Sequence, residues 1–307
     1  MLLKEIKTIF HKELDSLYPK EEVDGFFYLL TGHYLGVERF MLALRPKLVL
    51  TKEEEQPLFE ALSELKLNRP VQYIIGQSHF MGLDFHVNEN VLIPRPETEE
   101  LVRWVVEEIS PPDFQVQDRE KTRSSISDGS RGDHRSGTVI LDIGTGSGCI
   151  AISLAKQLPE AEVHALDVSE AALEVATQNA LRHQADIKLT QADILTLDSL
   201  GEKFDIIVSN PPYVRELEKK HMHQNVLEHE PDLALFVSDD NPLVFYKRIV
   251  HFALENLKPE GRLYLEINQY LAKETRQLLE DHNFTDIEVR TDLFGNERMV
   301  KGHLVAT

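Results

Sequence analysis

The 307-residue chain has one cysteine, Cys149, and one tryptophan, Trp104. A single thiol can close no internal disulfide and build no cysteine-based zinc cluster. No apolar run approaches the ~20 residues that a membrane-spanning helix needs. The start, Met1-Leu-Leu-Lys-Glu-Ile-Lys, carries charge in its first turns and lacks the hydrophobic region of a signal peptide. These absences predict a cytoplasmic protein. Basic residues are also scarce: 33 Lys+Arg face 52 Asp+Glu, for a formal net charge of −19. A protein that neutralises phosphates needs a basic face, and this overall field repels a polyanion. A neutral substrate or a basic protein partner is expected, with no direct nucleic-acid or membrane contact. Acidic excess that only keeps the chain soluble explains the charge equally well.

Residues 1–76 read as helices. Leu3, Ile6, Ile9, Phe10, Leu14 and Leu17 recur at helical spacing, and Phe26, Phe27, Leu29, Leu30 and Tyr34 mark a second segment. Thr51 with Glu54 fits a capping box ahead of Leu58, Leu62 and Leu65. Nothing here is catalytic, so a small bundle with a substrate-docking role is expected. Residues 77–94 read as a connecting hairpin: Phe80, Leu83, Phe85, Val87, Val91 and Ile93 lie around Gly82 and the turn signal Asn88-Glu89-Asn90. The prolines of Ile93-Pro94-Arg95-Pro96-Glu97-Thr98 predict an extended entry and then a helix carrying Leu101, Val102, Trp104 and Val105. Residues 111–137, rich in Pro, Ser, Asp, Arg and Gly, cannot bury enough surface to offset ordering entropy and are expected to be a flexible insertion. Their Arg-Gly-Asp triplet at 131–133 is read as chance.

From 138 strands and helices alternate. Thr138–Asp142, Glu162–Asp167, Ile187–Gln191, Phe204–Ser209 and Arg262–Ile267 read as strands, with helices between, Ser169 capping one of them. This βαβ series predicts an α/β fold with a mostly parallel sheet covered on both faces. Ile287–Arg290 and Arg298–Val305 are joined only by a short turn at Gly295-Asn296, so they must pair antiparallel. A parallel sheet closed in this way is the class I, Rossmann-like methyltransferase arrangement, and residues 95–307 are assigned to it.

Asp142-Ile143-Gly144-Thr145-Gly146-Ser147-Gly148 lies where a strand turns into a helix. Glycines there permit a tight turn and close backbone approach to a ligand. The loop alone is unspecific, since nucleotide, flavin and methionine-sulfonium binders all use one. No Gly-Lys-Ser/Thr follows, which excludes a P-loop. Asp167 ends the next strand, about twenty residues on, where a carboxylate can accept both ribose hydroxyls. Asp193, followed by Ile194, comes at the end of the third strand and can accept from an adenine amino group. Each aspartate alone is also explained by helix capping; three in order at successive strand ends favour a ligand.

Ser209-Asn210-Pro211-Pro212-Tyr213 follows the fourth strand. A rigid turn with an aromatic plug is the plain reading of these residues. The chemical reading is more specific. An amide nitrogen, or the exocyclic amine of adenine, is a poor nucleophile because its lone pair is delocalised. The Asn210 side-chain carbonyl can accept one N–H and the Pro211 carbonyl the other. Two acceptors out of the substrate plane favour a pyramidal nitrogen with its lone pair aimed at an incoming methyl group. Tyr213 can stack on the planar group. His221, His223 and His229 lie in a polar stretch without cysteine and read as surface histidines, so no metal is expected. Cys149 at a helix start can have a lowered thiol pKa, although a small packed residue is the expectation.

Beyond these motifs, the chain resembles the release-factor glutamine N5-methyltransferases over nearly its whole length. The matching stretches are Arg69–Ile74, Phe80–Phe85, Val91–Glu97, Asp142–Ala151, Ser209–Tyr213, Glu230-Pro231 with Ala234-Leu235, and Leu263–Ile267. Asn-Pro-Pro-Tyr is shared with DNA adenine methyltransferases; Pro-Val-Gln-Tyr and Ile-Pro-Arg-Pro-Glu are not, and they carry the resemblance. It implies an N-terminal all-α domain, a connecting hairpin and a class I methyltransferase domain. It also implies S-adenosyl-L-methionine as donor, S-adenosyl-L-homocysteine as product, and the glutamine of the Gly-Gly-Gln loop of class I release factors as acceptor. A monomer is expected. Three departures stand out: Phe236–Pro242 where the family usually has glycines, Asn268 where it often has glycine, and the long 111–137 stretch. An adenine-N6 methyltransferase of nucleic acid is the alternative, and it calls for a basic surface. A catalytically idle binding scaffold is a further alternative, disfavoured by the presence of Asp142, Asp167, Asn210 and Tyr213.

Overall fold

The computed structural model describes residues 1–110 and 137–305. The expected insertion, apart from Gly137, lies outside the described residues. The chain divides into two compact units. One comprises Met1–Gln77, Val87–Glu89 and His221–Glu230; the other holds Ser78–His86 and the remaining described residues from Asn90 on.

The first unit contains α1 (Leu3–Leu14), α2 (Lys20–Leu35), α3 (Met41–Leu44), α4 (Lys52–Leu65) and α5 (Val71–Ile75). The apolar stripes of α1, α2 and α4 meet in one core around Leu3, Ile6, Phe10, Phe27, Leu58 and Leu62. The capping box forms: Thr51 Oγ1 accepts the Glu54 N–H at 3.3 Å, and the Glu54 carboxylate accepts the Thr51 N–H at 2.8 Å. Leu17, assigned to the α1 stripe from spacing, falls beyond the helix end and is 51% exposed.

β1 (Gln77–Phe80) and β2 (Leu83–His86) form the hairpin, which from Ser78 to His86 belongs to the second unit. Its turn is Met81-Gly82, both with positive φ (+50° and +78°), the geometry of a two-residue primed turn. Asn88-Glu89-Asn90 comes after β2 with no strand between it and Pro96, so Val91 and Ile93 are buried outside any sheet. That corrects the extent of the hairpin read from the sequence. Phe80 and Phe85 are buried in the same core as Trp104, Ile150 and Ile152. The hairpin is therefore an integral layer of this unit. Next comes α6 (Pro96–Ile109), with Pro96 in its first turn, where a missing N–H costs nothing.

A seven-stranded sheet follows, in the order β10-β11-β9-β6-β3-β4-β5. Its strands are β3 (Val139–Ile143), β4 (Glu162–Asp167), β5 (Ile187–Gln191), β6 (Phe204–Ser209), β9 (Leu257–Glu266), β10 (Phe284–Thr291) and β11 (Glu297–Leu304). Parallel pairing joins β9, β6, β3, β4 and β5, and β11 runs antiparallel to both of its neighbours. The helices are α7 (Cys149–Gln157), α8 (Glu170–His183), α9 (Gln224–His229, within the helical unit), α10 (Asp232–Leu235), α11 (Val244–Asn256) and α12 (Ala272–Asp281). A two-residue parallel pairing links β7 (Val214–Arg215) to β8 (Phe236–Val237). Strand order runs outward in both directions from β3. Such a switch point leaves a crevice at the carboxyl ends of the strands. Among the described residues no helix is long and apolar enough to cross a membrane.

Candidate active site

A cavity of about 220 Å³ opens at that crevice. Gly144, Gly146, Asp167, Asp193, Asn210 and Pro211 line it, with Ile194, Phe245 and Ile249 among its apolar walls. The glycine loop is tied to the end of β4: the Leu166 carbonyl accepts the N–H groups of Gly144 (2.9 Å) and Thr145 (3.0 Å). Gly144 and Gly146 have φ of +74° and +53°, with open space where a Cβ would stand. The bare backbone therefore forms the cavity wall. Gly148 has a different task. A Cβ there would lie 2.9 Å from Ile152 Cδ1 and 3.2 Å from Ala176 Cβ, so it allows α7 and α8 to approach closely.

Asp167 accepts the Gly146 N–H on Oδ2 and the Ser169 N–H on Oδ1, both at 2.9 Å. Burial raises its pKa, and these backbone donors oppose the rise. Asp193 Oδ1 accepts the Leu195 N–H at 2.9 Å, which turns the chain after β5 and holds Ile194 against the cavity. Asp142 is fully buried and does not line the cavity. Its Oδ2 accepts the Thr145 hydroxyl at 2.6 Å, while Oδ1 has no partner among the described residues. Burial pushes its pKa up to about 7, against the Thr145 hydroxyl and the Ala151 N–H. Ser147 is buried, and its carbonyl accepts from Asn179 Nδ2 at 2.9 Å. Cys149 is buried too, and desolvation pushes its thiol up to about 12, the opposite of an activated cysteine.

On the facing wall, the Ser209 hydroxyl donates to the Ile143 carbonyl at 2.7 Å and locks the ends of β6 and β3 together. This sets Asn210, Pro211 and Pro212 along the cavity. Tyr213 is not on the cavity wall; its hydroxyl donates to Glu266 Oε1 at 2.9 Å. Glu266 is 1% exposed near the end of β9, and its Oε2 accepts the Thr98 hydroxyl at 2.6 Å. Thr98 in turn accepts from Asn210 Nδ2 at 3.1 Å. Sequence reasoning misses Thr98, Glu266 and Asn179, because nothing but burial-compatible spacing marks them. Two of the departures from the family pattern also become legible. Asn268 Nδ2 donates to the Tyr213 carbonyl (3.0 Å) and to Glu218 Oε2 (2.9 Å), which holds the strand after the tetrapeptide. The Phe236–Pro242 stretch contributes β8, and its Asp239 accepts the Leu217 N–H at 3.1 Å.

The three histidines of the polar stretch do not converge on a site; His229 Nε2 meets the Leu67 carbonyl at 2.9 Å within the helical unit. The group Glu162, His164 and Glu202 lies at the start of β4, at the sheet edge opposite the cavity, and Lys188 already pairs with Glu162.

The donor set suits S-adenosylmethionine. Flush glycine backbone, a carboxylate at the end of β4, a polar turn after β5 and an apolar wall match a ligand that joins an amino acid, a ribose and a flat base. Fold and cavity together define a class I S-adenosylmethionine-dependent methyltransferase. The comparisons agree: residues 134–298 match the family described as "Methyltransferase domain", and residues 11–76 match the "PrmC N-terminal domain". The release factor glutamine methyltransferase of Flavobacterium psychrophilum is 46% identical, covering 98% of this chain and 99% of its own length. That of Bacteroides thetaiotaomicron is 40% identical, over 97% and 99%. A methyltransferase structure from Pyrococcus furiosus shares the fold, with TM-score 0.50 and 15% identity over 83% of this chain and 100% of its own. The chain belongs to the release factor glutamine methyltransferase family.

Proposed function

We propose that the protein methylates the side-chain amide nitrogen of the glutamine in the Gly-Gly-Gln loop of class I peptide-chain release factors. It does so as a cytoplasmic monomer, with the helical unit as the docking surface for the factor. S-adenosylmethionine, when bound, supplies a methyl group on a positively charged sulfur, an electrophile needing no further activation. Gly144, Gly146, Asp167, Asp193 and Ile194 hold it, and Asp142 shapes the loop from behind. One observation carries the reading: Asn210, Pro211 and Pro212 face the glycine loop and Asp167 across a single cavity. The Asn210 and Pro211 carbonyls accept the two amide N–H bonds, hold the nitrogen out of conjugation and aim its lone pair. A strong base is unnecessary, because the nitrogen becomes acidic as it is alkylated. Tyr213, the last residue of Asn-Pro-Pro-Tyr, anchors the turn through its hydrogen bond to Glu266. The nucleic-acid alternative gains nothing from a chain of net charge −19.

The test is Asn210→Ala. Its kcat on a purified release factor is expected to fall by a factor on the order of a hundred, the scale of a lost transition-state hydrogen bond. Cofactor affinity should change far less. Lost cofactor binding with intact turnover of the bound complex would overturn the assignment.

A further inference from the structure

We infer that Thr98 and Glu266 are positioning residues that fix which end of the Asn210 amide faces the reacting nitrogen. This rests on the proposal that Asn210 accepts a substrate N–H. An asparagine amide has two nearly isosteric ends, one a double acceptor and the other a double donor. Only the acceptor end can help here; a donor end would repel the substrate N–H. Something must therefore set the rotamer, and the buried relay does so through the polarity of its hydrogen bonds.

Burial raises the Glu266 pKa, and the Thr98 and Tyr213 hydroxyls together with the Arg298 charge oppose that rise; in the carboxylate form they favour, Glu266 can only accept. It receives Thr98 Oγ1–H on Oε2 (2.6 Å) and Tyr213 Oη–H on Oε1 (2.9 Å). Thr98 has one hydroxyl proton, and that proton is committed to Glu266. Its oxygen is then left only to accept, and the group facing it at 3.1 Å must be the Asn210 NH₂. Asn210 Oδ1 is consequently presented away from Thr98, with no partner among the described residues. Thr98 and Glu266 are 2% and 1% exposed, so water cannot easily substitute for either. Tyr213 belongs to the same relay, which accounts for an aromatic hydroxyl directed inward.

The experiment is a double-mutant cycle between Thr98→Val and Asn210→Ala, read as methyl transfer from radiolabelled S-adenosylmethionine to a purified class I release factor. Valine keeps the shape of threonine and removes the hydroxyl. Thr98→Val should lower kcat roughly tenfold, the scale of one well-made hydrogen bond. S-adenosylmethionine affinity should stay close to wild type, melting temperature should fall because Glu266 Oε2 loses a buried donor, and Thr98→Ser should restore both kcat and melting temperature. In the Asn210→Ala background the same Thr98→Val change should cost nothing further, because the group it orients is gone. A purely structural Thr98 would instead cost the same in both backgrounds, and that result overturns the inference. Full activity of Thr98→Val beside a crippled Asn210→Ala also overturns it, while leaving the role of Asn210 standing. Should Thr98→Val not fold, Thr98→Ala against Thr98→Ser carries the same cycle. An active Asn210→Ala enzyme would instead remove the reading on which the inference rests.

Discussion

Asn179 on α8 forms a reciprocal pair with the backbone of His86: its Oδ1 accepts the His86 N–H at 2.6 Å, and its Nδ2 donates to the His86 carbonyl at 2.9 Å. The same Nδ2 reaches the Ser147 carbonyl at 2.9 Å. One fully buried side chain thus joins the end of the hairpin to the glycine loop. Asn179→Ala removes these three buried hydrogen bonds and should destabilise the protein by about 2–4 kcal/mol. Cofactor affinity should weaken with it, because the loop loses its anchor. Urea unfolding checks the first effect and calorimetry the second. A stability change under about 0.5 kcal/mol, the range of neutral surface substitutions, would contradict this role.

The hairpin supplies a second expectation. Phe80 and Phe85 pack edge-to-face with ring centroids 6.1 Å apart, inside the core that contains Trp104. Phe85→Ala should cost about 3–5 kcal/mol, as for other buried aromatics. A hairpin that merely linked two domains would lose much less, so the unfolding midpoint in urea separates the two views.

That difference shows what the sequence can convey. Parallel strands advertise themselves through apolar runs and through the residue types just past each carboxyl end, so pattern alone locates Asp167, Asp193 and Asn210. The hairpin turn is harder to place, because Asn88-Glu89-Asn90 is the stronger turn signal by composition, while Met81 takes positive φ against its own preference. Thr98 and Glu266 are not legible at all. They meet across 168 residues of chain, and neither a threonine in a first helical turn nor a glutamate ending a strand is unusual. The sequence suggests Tyr213 as a stacking surface and gives no sign that its hydroxyl donates to Glu266, a buried acceptor that only the fold brings there.

Asp142 predicts a pH dependence. Its folded pKa of about 7 lies above the ordinary value of 3.8, so the folded chain holds this proton more tightly than the unfolded one. The contribution to stability is full below the unfolded pKa and is lost as pH rises through the folded one. Over that window it amounts to at most about 4 kcal/mol. Asp142→Asn removes the titration and should flatten stability between pH 5 and 8, relative to the parent. Cofactor-free protein is the sample to unfold. Parallel stability profiles for parent and variant would contradict the assignment.

The central claim is that this cavity methylates a release-factor glutamine. Its most direct test offers the full chain and radiolabelled S-adenosylmethionine three acceptors: a class I release factor, the same factor with its Gly-Gly-Gln glutamine replaced by alanine, and duplex DNA. The account predicts label in the first alone, located by peptide mass spectrometry on that glutamine side chain. Equal label in the alanine-bearing factor, or label in the DNA, would contradict it.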